Sequence, residues 1–262
     1  MLLRLTHLAF VSRGPAQPRP DAIAIVEGSS PAAPERVFVP GWLPCGECTL
    51  CRRGLAGACA RGVTPVATAL TSDARPGTLD LPDRFLCPID QGNPDAPLSD
   101  AVAAAAGAVA TVIEAHARSG LGPGDTAHWT GAGVLAQIGT RVATARLGGR
   151  ATESDRGVHR VFIDSDDDSL ASQALAAVGP GGTVTYLGAR PAGLAAWSGV
   201  PGVRVLLGCG GYDPDFIPEA LATLRRREID VAPFLDHRAW QTSDSILTPS
   251  PYPGDAIVVI TL

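Results

Sequence analysis

Four of the six cysteines lie within one short segment, Cys45, Cys48, Cys51 and Cys59, spaced Cys-x2-Cys-x2-Cys-x7-Cys. Two-residue spacers let a tight turn bring thiolates around a single ion, and four thiolates at ~2.3 Å make a closed tetrahedral zinc site. Gly46, Gly54 and Gly57 allow the backbone to bend around the ion, and Arg52 and Arg53 are expected to offset part of its negative charge. Two other readings stay open. Paired disulfides would be strained between thiols so near in sequence and need an oxidising compartment, while an iron-sulfur cluster also takes four thiolates. A closed site has no position for substrate, so the expected zinc is structural and does no chemistry. Cys87 and Cys209 stand alone and are expected to be small packing residues.

The second constellation is Gly131-Ala-Gly-Val-Leu-Ala136, between a strand-like run at 126–130 and a helix-like stretch at 137–147. In a strand, glycine turn and helix that bind a dinucleotide, Gly131 would make the turn, Gly133 would admit the pyrophosphate and Ala136 would let the helix pack closely. An acid about 20 residues on would hold a ribose hydroxyl. Glu153 and Asp155 fall in that window; Asp155 favours NAD, and Arg156 beside it suits the extra phosphate of NADP. The same residues also read as an ordinary strand-to-helix turn followed by a solvated acid, and spacing alone does not separate the two. The acidic run Asp164–Asp168 reads as a helix amino-terminal cap, and Arg225–Arg227 as complementing the carboxyl end of a later helix that starts at Phe216. His7, His116, His128, His159 and His237 are scattered singly, without ligand spacing.

The elements that must position these groups come from a chain of 262 residues, 45% hydrophobic and 18% charged, ample for a sizeable core. A net charge of −5 argues against nucleic-acid and anionic-membrane partners, which favour clustered Lys and Arg. Arg4 and His7 break the apolar start, so no signal peptide is expected, and the 13-residue run 101–113 is too short to span a bilayer. A soluble cytoplasmic protein is expected. Thirty Gly and 23 Pro imply many turns. The second half alternates strand-like and helix-like runs, which places the chain in the α/β class.

Five blocks carry a resemblance: Pro34-Glu-Arg-Val-Phe-Val-Pro40 leading into the cysteines, Arg84-Phe-Leu-Cys-Pro88, Ser119-Gly-Leu-Gly-Pro-Gly-Asp125, Gly179-Pro-Gly-Gly-Thr-Val-Thr-Tyr-Leu-Gly188, and Phe216 through Arg238. In these the chain resembles the medium-chain dehydrogenase/reductase family, the zinc-containing alcohol dehydrogenase type. Residues 84–90 and 208–214 resemble the branch that oxidises alicyclic hydroxyacyl-CoA thioesters. The resemblance implies a structural zinc lobe at 44–60 on a truncated GroES-like β-rich domain, 1–100 with 239–262. It also implies a shortened Rossmann doubly wound parallel sheet at 101–238. NAD or NADP would bind at Gly131, Gly133, Ala136, Asp155, Leu187 and Gly188.

Departures from the resemblance shape the functional expectation. Family members that use a catalytic zinc hold it with an early Cys, a His-Glu pair and a later Cys or acid. Residues 17–26 contain neither His nor Glu, and the last ligand position falls on Gly107. Only residues 156–158 join the acid window to the next strand-like run, 159–164, which best matches the family's fourth strand, so strand three and its flanking helices are expected to be missing. Two functions follow. One is an NAD(P)-dependent oxidoreductase without catalytic zinc, acting on a small molecule or an acyl-CoA substrate, with no catalytic residue assigned; Thr130 and Tyr186 are the nearest donors to suggest themselves. The other is a non-catalytic relative serving as a binding or assembly subunit. It would pair as a homodimer or with a full-length relative through the apolar strand at 256–262 and the segment 216–238.

Overall fold

The computed structural model describes residues 1–11, 20–29, 35–53, 56, 59, 61–70, 77–90, 97–147, 157–164, 167–187, 202–206, 211–239 and 256–262. Its strands, in chain order, are β1 (Leu2–Val11), β2 (Asp21–Val26), β3 (Arg36–Val39), β4 (Thr78–Asp80), β5 (Cys87–Pro88), β6 (Ala127–Thr130), β7 (Val158–Ile163), β8 (Val178–Tyr186), β9 (Arg204–Leu206), β10 (Leu235–Ala239) and β11 (Ile257–Thr261). Its helices are α1 (Thr49–Arg52), α2 (Pro65–Leu70), α3 (Asp100–Ala104), α4 (Ala106–Ser119), α5 (Val134–Leu147), α6 (Asp168–Ala177) and α7 (Ile217–Arg225). The chain is α/β and divides into two compact units, Met1–Gly107 with Asp213–Leu262, and Ala108–Tyr212.

The first unit is built on a mixed sheet in the order β10-β11-β1-β2-β3-β5, with β4 also paired to β1. Every pairing is antiparallel except β10 with β11. β1 shows how the sequence selects a face. Leu3 and Leu5 occupy odd positions and Leu8 and Phe10 even ones, yet all four lie in one core with Ala22, Ala24, Val37 and Val258. A strict two-residue period would send one pair to the opposite face. The register slips between Leu5 and His7, and this bulge restores the apolar side to the core.

One cation joins β3 to the residues that follow β5 and to the start of α3. Arg36, at the start of β3, binds both carboxylate oxygens of Asp90 and also Asp100 at 2.7 Å, and Asp100 in turn lies 3.5 Å from His7 Nδ1. Two carboxylates raise the Arg36 pKa, the Asp90 hydrogen bond first among the causes.

The segment 213–238 corrects the expected domain limit at 238. It belongs to the β-rich unit because β10 pairs along its whole length with β11 and Arg225 at the end of α7 donates to the Ile89 carbonyl. The carboxyl-terminal strand also differs from a free assembly edge, since β11 lies between β10 and β1 and both its edges are taken.

The second unit carries a parallel sheet, β6-β7-β8-β9. On one face Trp129 stacks on Phe162 at 4.5 Å between ring centroids, and His116 of α4 meets both rings edge-on. Gly139 of α5 sits on the same face, so close that a Cβ there would lie 2.2 Å from the Trp129 ring. The other face holds Val161, Ile163, Val184 and Tyr186 against Ala174 and Leu175 of α6. Hence α5 and α6 cover opposite faces while β6, β7 and β8 advance in one direction, so the two crossovers have opposite hands. About 98% of such crossovers are right-handed. A helix after β6 on the face opposite α6 fits a chain that once led to strands on the far side of β6. The pair β6-β7 therefore joins what a complete doubly wound sheet separates in sequence, in keeping with a shortened Rossmann unit.

Helices α3 and α4 run almost continuously over Asp100–Ser119. This 20-residue stretch reaches a mean hydropathy of 1.2, longer than the expected 13-residue run, but 78% of its apolar window is buried, as in a core helix.

Candidate metal centre and dinucleotide turn

The cysteine lobe rises from β3 through a narrow neck. Leu43 and Val63 exchange two backbone hydrogen bonds of 2.9 Å, and the Trp42 ring packs on Gly62, where a Cβ would meet it at 2.2 Å. Gly46 takes φ +78°, open to glycine, and Cys48 then caps α1, accepting from the Cys51 N–H at 3.5 Å. These turns bring the four sulfurs together: Cys48–Cys51 at 3.4 Å, Cys45–Cys59 at 3.5 Å, Cys48–Cys59 at 3.7 Å and Cys45–Cys51 at 3.9 Å.

That spacing decides among the three readings. A tetrahedron of ~2.3 Å metal-sulfur bonds has edges of about 3.8 Å. Disulfide sulfurs would sit at about 2.0 Å, and a cluster with a separate iron behind each thiolate would spread them further apart. The four residues form the group able to hold a metal among the described residues, and they fit one structural zinc ion.

Electrostatics tell the same story. The Cys45 thiol is lowered to about 6, chiefly by the Glu47 backbone N–H and also by the Arg61 guanidinium, while burial and its neighbouring thiols push Cys51 up to about 12. A divalent cation at the centre would favour the thiolate form of all four cysteines. The cation touching the sulfurs is Arg61, whose Nη2 lies 3.5 Å from Cys45 Sγ. Arg52 donates to the Glu47 carbonyl, and Arg53 is exposed. A cation two residues after the last cysteine was the available signal for Arg61.

The glycine turn is built at the carboxyl end of β6. Gly131 adopts φ +125°, and a Cβ there would lie 2.4 Å from the Asp164 carbonyl oxygen. The Asp164 N–H donates to the Thr130 carbonyl at 3.0 Å, fixing the end of β7 against the turn. Gly133 immediately precedes α5, and Ala136, 3% exposed, lies in its first turn. The first turn of α5 has no acid of its own; the Asp164 carboxylate supplies one, its Oδ2 accepting from the Ala136 N–H at 3.3 Å. The acidic run therefore serves two helices. Asp167 caps α6 as expected, accepting from Ser169 N at 2.7 Å, whereas Asp164 turns back to α5.

Leu187 follows β8, buried, with its N–H on the Ile163 carbonyl at 3.0 Å. The structure thus gathers Gly131, Gly133, Ala136 and Leu187 at the carboxyl ends of parallel strands, where open α/β sheets bind ligands. Gly188, Glu153, Asp155 and Arg156 lie outside the described residues. Tyr186 is fully buried in the core under α6 and is placed for packing, not for contact with a substrate. The Thr130 hydroxyl is buried without a hydrogen-bond partner among the described residues.

The histidines stay apart. His116 is enclosed by Trp129 and Phe162, accepts from the Trp129 indole N–H at 3.3 Å, and is lowered to about 3 by burial and then by Arg146. His159 hydrogen bonds Thr126, near Asp125. No second group of metal-ligating side chains occurs among the described residues, so they do not fit an open catalytic zinc, which needs three protein ligands.

No protein-family model matches the chain, and no curated protein sequence matches it. Solved structures do. A protein described as a zinc-binding dehydrogenase from Sinorhizobium meliloti 1021, bound to NADP, is similar at a TM-score of 0.72 with 17% identity, over 100% of this chain and 92% of that one. The alcohol dehydrogenase TADH from Thermus sp. ATN1 is similar at a TM-score of 0.68 with 18% identity, over 99% and 91%. L-idonate 5-dehydrogenase from Escherichia coli reaches 0.68 with 12% identity, over 100% and 90%. At these identities the likeness establishes the fold: that of the zinc-containing medium-chain dehydrogenases, with a GroES-like and a Rossmann-like part.

Proposed function

We propose that this chain, which has the medium-chain dehydrogenase fold, is a soluble cytoplasmic NAD(P)-dependent oxidoreductase that keeps its structural zinc and works without a catalytic one. The observation that carries the reading is the Gly131 turn, held at φ +125° hard against the end of β7 and followed directly by α5. A side chain cannot occupy that space, and the arrangement brings backbone N–H groups to where a pyrophosphate would approach. Gly131, Gly133 and Ala136 would hold the dinucleotide on one side and Leu187 with Gly188 on the other. The bound nicotinamide would supply hydride transfer to or from a small carbonyl or hydroxyl compound, acyl-CoA thioesters included. Polarisation of that group falls to hydrogen-bond donors of the protein.

The shortened sheet supports a second reading, a non-catalytic subunit, because strands that would wall the adenosine side do not appear beside β6 among the described residues. Such a subunit would pair with a second copy or a full-length relative. Titration with NADH and NADPH separates the two. A dissociation constant below about 100 μM, ~5.5 kcal/mol, is expected of the oxidoreductase; no binding at millimolar cofactor would leave the non-catalytic reading.

A further inference from the structure

At the carboxyl end of α7 the chain keeps a side chain where the backbone favours none. Arg227 takes φ +53°, the positive φ of a non-glycine residue among the described residues. Its N–H donates to the Leu224 carbonyl at 3.0 Å and the Glu228 N–H donates to the Thr223 carbonyl at 3.2 Å. This pair of bonds closes a helix end, and glycine normally holds the left-handed position in it. The three consecutive arginines there have different partners. Arg225 donates to the Ile89 carbonyl and Arg226 pairs with Glu228, whereas the Arg227 guanidinium makes no hydrogen bond or ion pair among the described residues. The backbone is strained at Arg227 with no contact of its side chain to offset it.

Arg227 lines a cavity of about 470 Å³ in the β-rich unit, between the start of α3 and the segment that follows α7. Its apolar wall is made by Leu98, Leu224, Ile229 and Val231, all buried, and by half-buried Val102. Arg225 and Arg227 both line it, and the acid among its lining residues is Asp230, whose carboxylate accepts from the Ala232 N–H at 3.0 Å. The Ser99 hydroxyl, also in the lining, accepts from the Val102 N–H at 3.3 Å and keeps its own hydrogen to donate. We propose that this cavity binds a small organic carboxylate, with the carboxylate on the Arg227 guanidinium and an apolar body against Leu224, Ile229 and Val231. Two cations against one acid favour an anion. The guanidinium fork matches a carboxylate through two parallel N–H···O bonds, and the apolar wall selects a hydrocarbon body over an inorganic ion. The site lies wholly within the β-rich unit and is independent of the dinucleotide turn.

The test titrates the full chain with octanoate and with 1-octanol, its uncharged counterpart, by calorimetry and by amide NMR shifts. Wild type is expected to bind one octanoate, with shifts centred on Val102, Leu224, Ile229 and Val231, and to bind 1-octanol at least tenfold more weakly, ~1.4 kcal/mol. Arg227→Gly is expected to weaken octanoate at least tenfold and to leave 1-octanol within twofold. The same variant should melt about 2–4 °C higher, because glycine relieves the left-handed strain. Arg226→Ala, which loses the same charge one position away, should stay within twofold of wild type for octanoate, and Val102→Trp, which fills the cavity from α3, should weaken both ligands. The proposal is overturned by no octanoate binding at about 10 mM, by 1-octanol or inorganic phosphate binding as tightly as octanoate, or by unchanged octanoate affinity in Arg227→Gly. A lower melting temperature in Arg227→Gly also overturns it, since the arginine would then serve the fold and not a ligand.

Discussion

Replacing Gly131 by Ala tests the seat of the dinucleotide turn, and Gly124→Ala in the same unit is its natural counterpart. Gly124 takes φ +93° and a Cβ there would touch nothing within 4 Å, whereas the Gly131 Cβ would lie 2.4 Å from the Asp164 oxygen and 3.1 Å from its carbonyl carbon. Both substitutions force an L-residue into glycine's region, costing about 1–2 kcal/mol. Only Gly131→Ala adds a collision with backbone. The Asp164 carbonyl cannot swing aside freely because the preceding strand is paired and its own N–H is bonded to Thr130 at 3.0 Å. A contact so far inside van der Waals range demands local movement of nearly an ångström, on the scale of overpacking, a further ~1–3 kcal/mol. Gly124→Ala should therefore lose about 1–2 kcal/mol and Gly131→Ala about 2–5 kcal/mol. At roughly 2–4 °C per kcal/mol for a chain of this size, the second variant should melt visibly lower than the first. Urea denaturation followed by linear extrapolation measures the difference. NADPH titration should show weakened binding in Gly131→Ala alone. If the two variants prove equally stable, the end of β7 does not rest against the turn and the reasoning fails.

Metal analysis should find one zinc per chain, lost in Cys48→Ser together with protection of residues 44–60 from proteolysis; a folded, metal-free wild type would refute the zinc assignment. Buried His116 predicts a pH dependence of known sign. Its folded pKa, about 3, lies below the unfolded value of 6.5, so only the unfolded chain takes up the proton between those values. Stability is unaffected above about pH 6.5 and falls as the pH drops towards 3, by at most ~1.4 kcal/mol per unit. His116→Gln, which keeps an acceptor for Trp129, should flatten part of the acid limb of a melting-temperature profile measured from pH 7 to 4. An unchanged acid limb would show that His116 titrates normally.

The zinc lobe was legible in the sequence because its geometry is local: four thiols separated by two, two and seven residues can meet around one ion only by turning tightly. The glycine turn was legible for a similar reason, since strand, turn and helix are consecutive. Its chemistry was not, because the residue that faces it, Asp164, comes just after β7, 33 positions beyond Gly131, and reads in sequence as part of an acidic helix cap. Arg61 was hidden similarly: Arg52 and Arg53 are nearer the middle of the cysteine run, but the turn of α1 directs Arg52 to the Glu47 carbonyl.

Sequence by itself determined the local pieces: which cysteines cluster, where a strand gives way to a glycine turn, which runs are apolar enough to be core. Tertiary structure alone decided how they combine. It assigned 213–238 to the β-rich unit through the parallel pairing of β10 with β11, enclosed β11 between two neighbours, and set α5 and α6 on opposite faces of the short sheet. Those outcomes depend on pairings between residues far apart in the chain. Spacing and periodicity report only what a segment can form with itself, and the partner that a strand edge or a helix end meets is fixed when the whole chain closes.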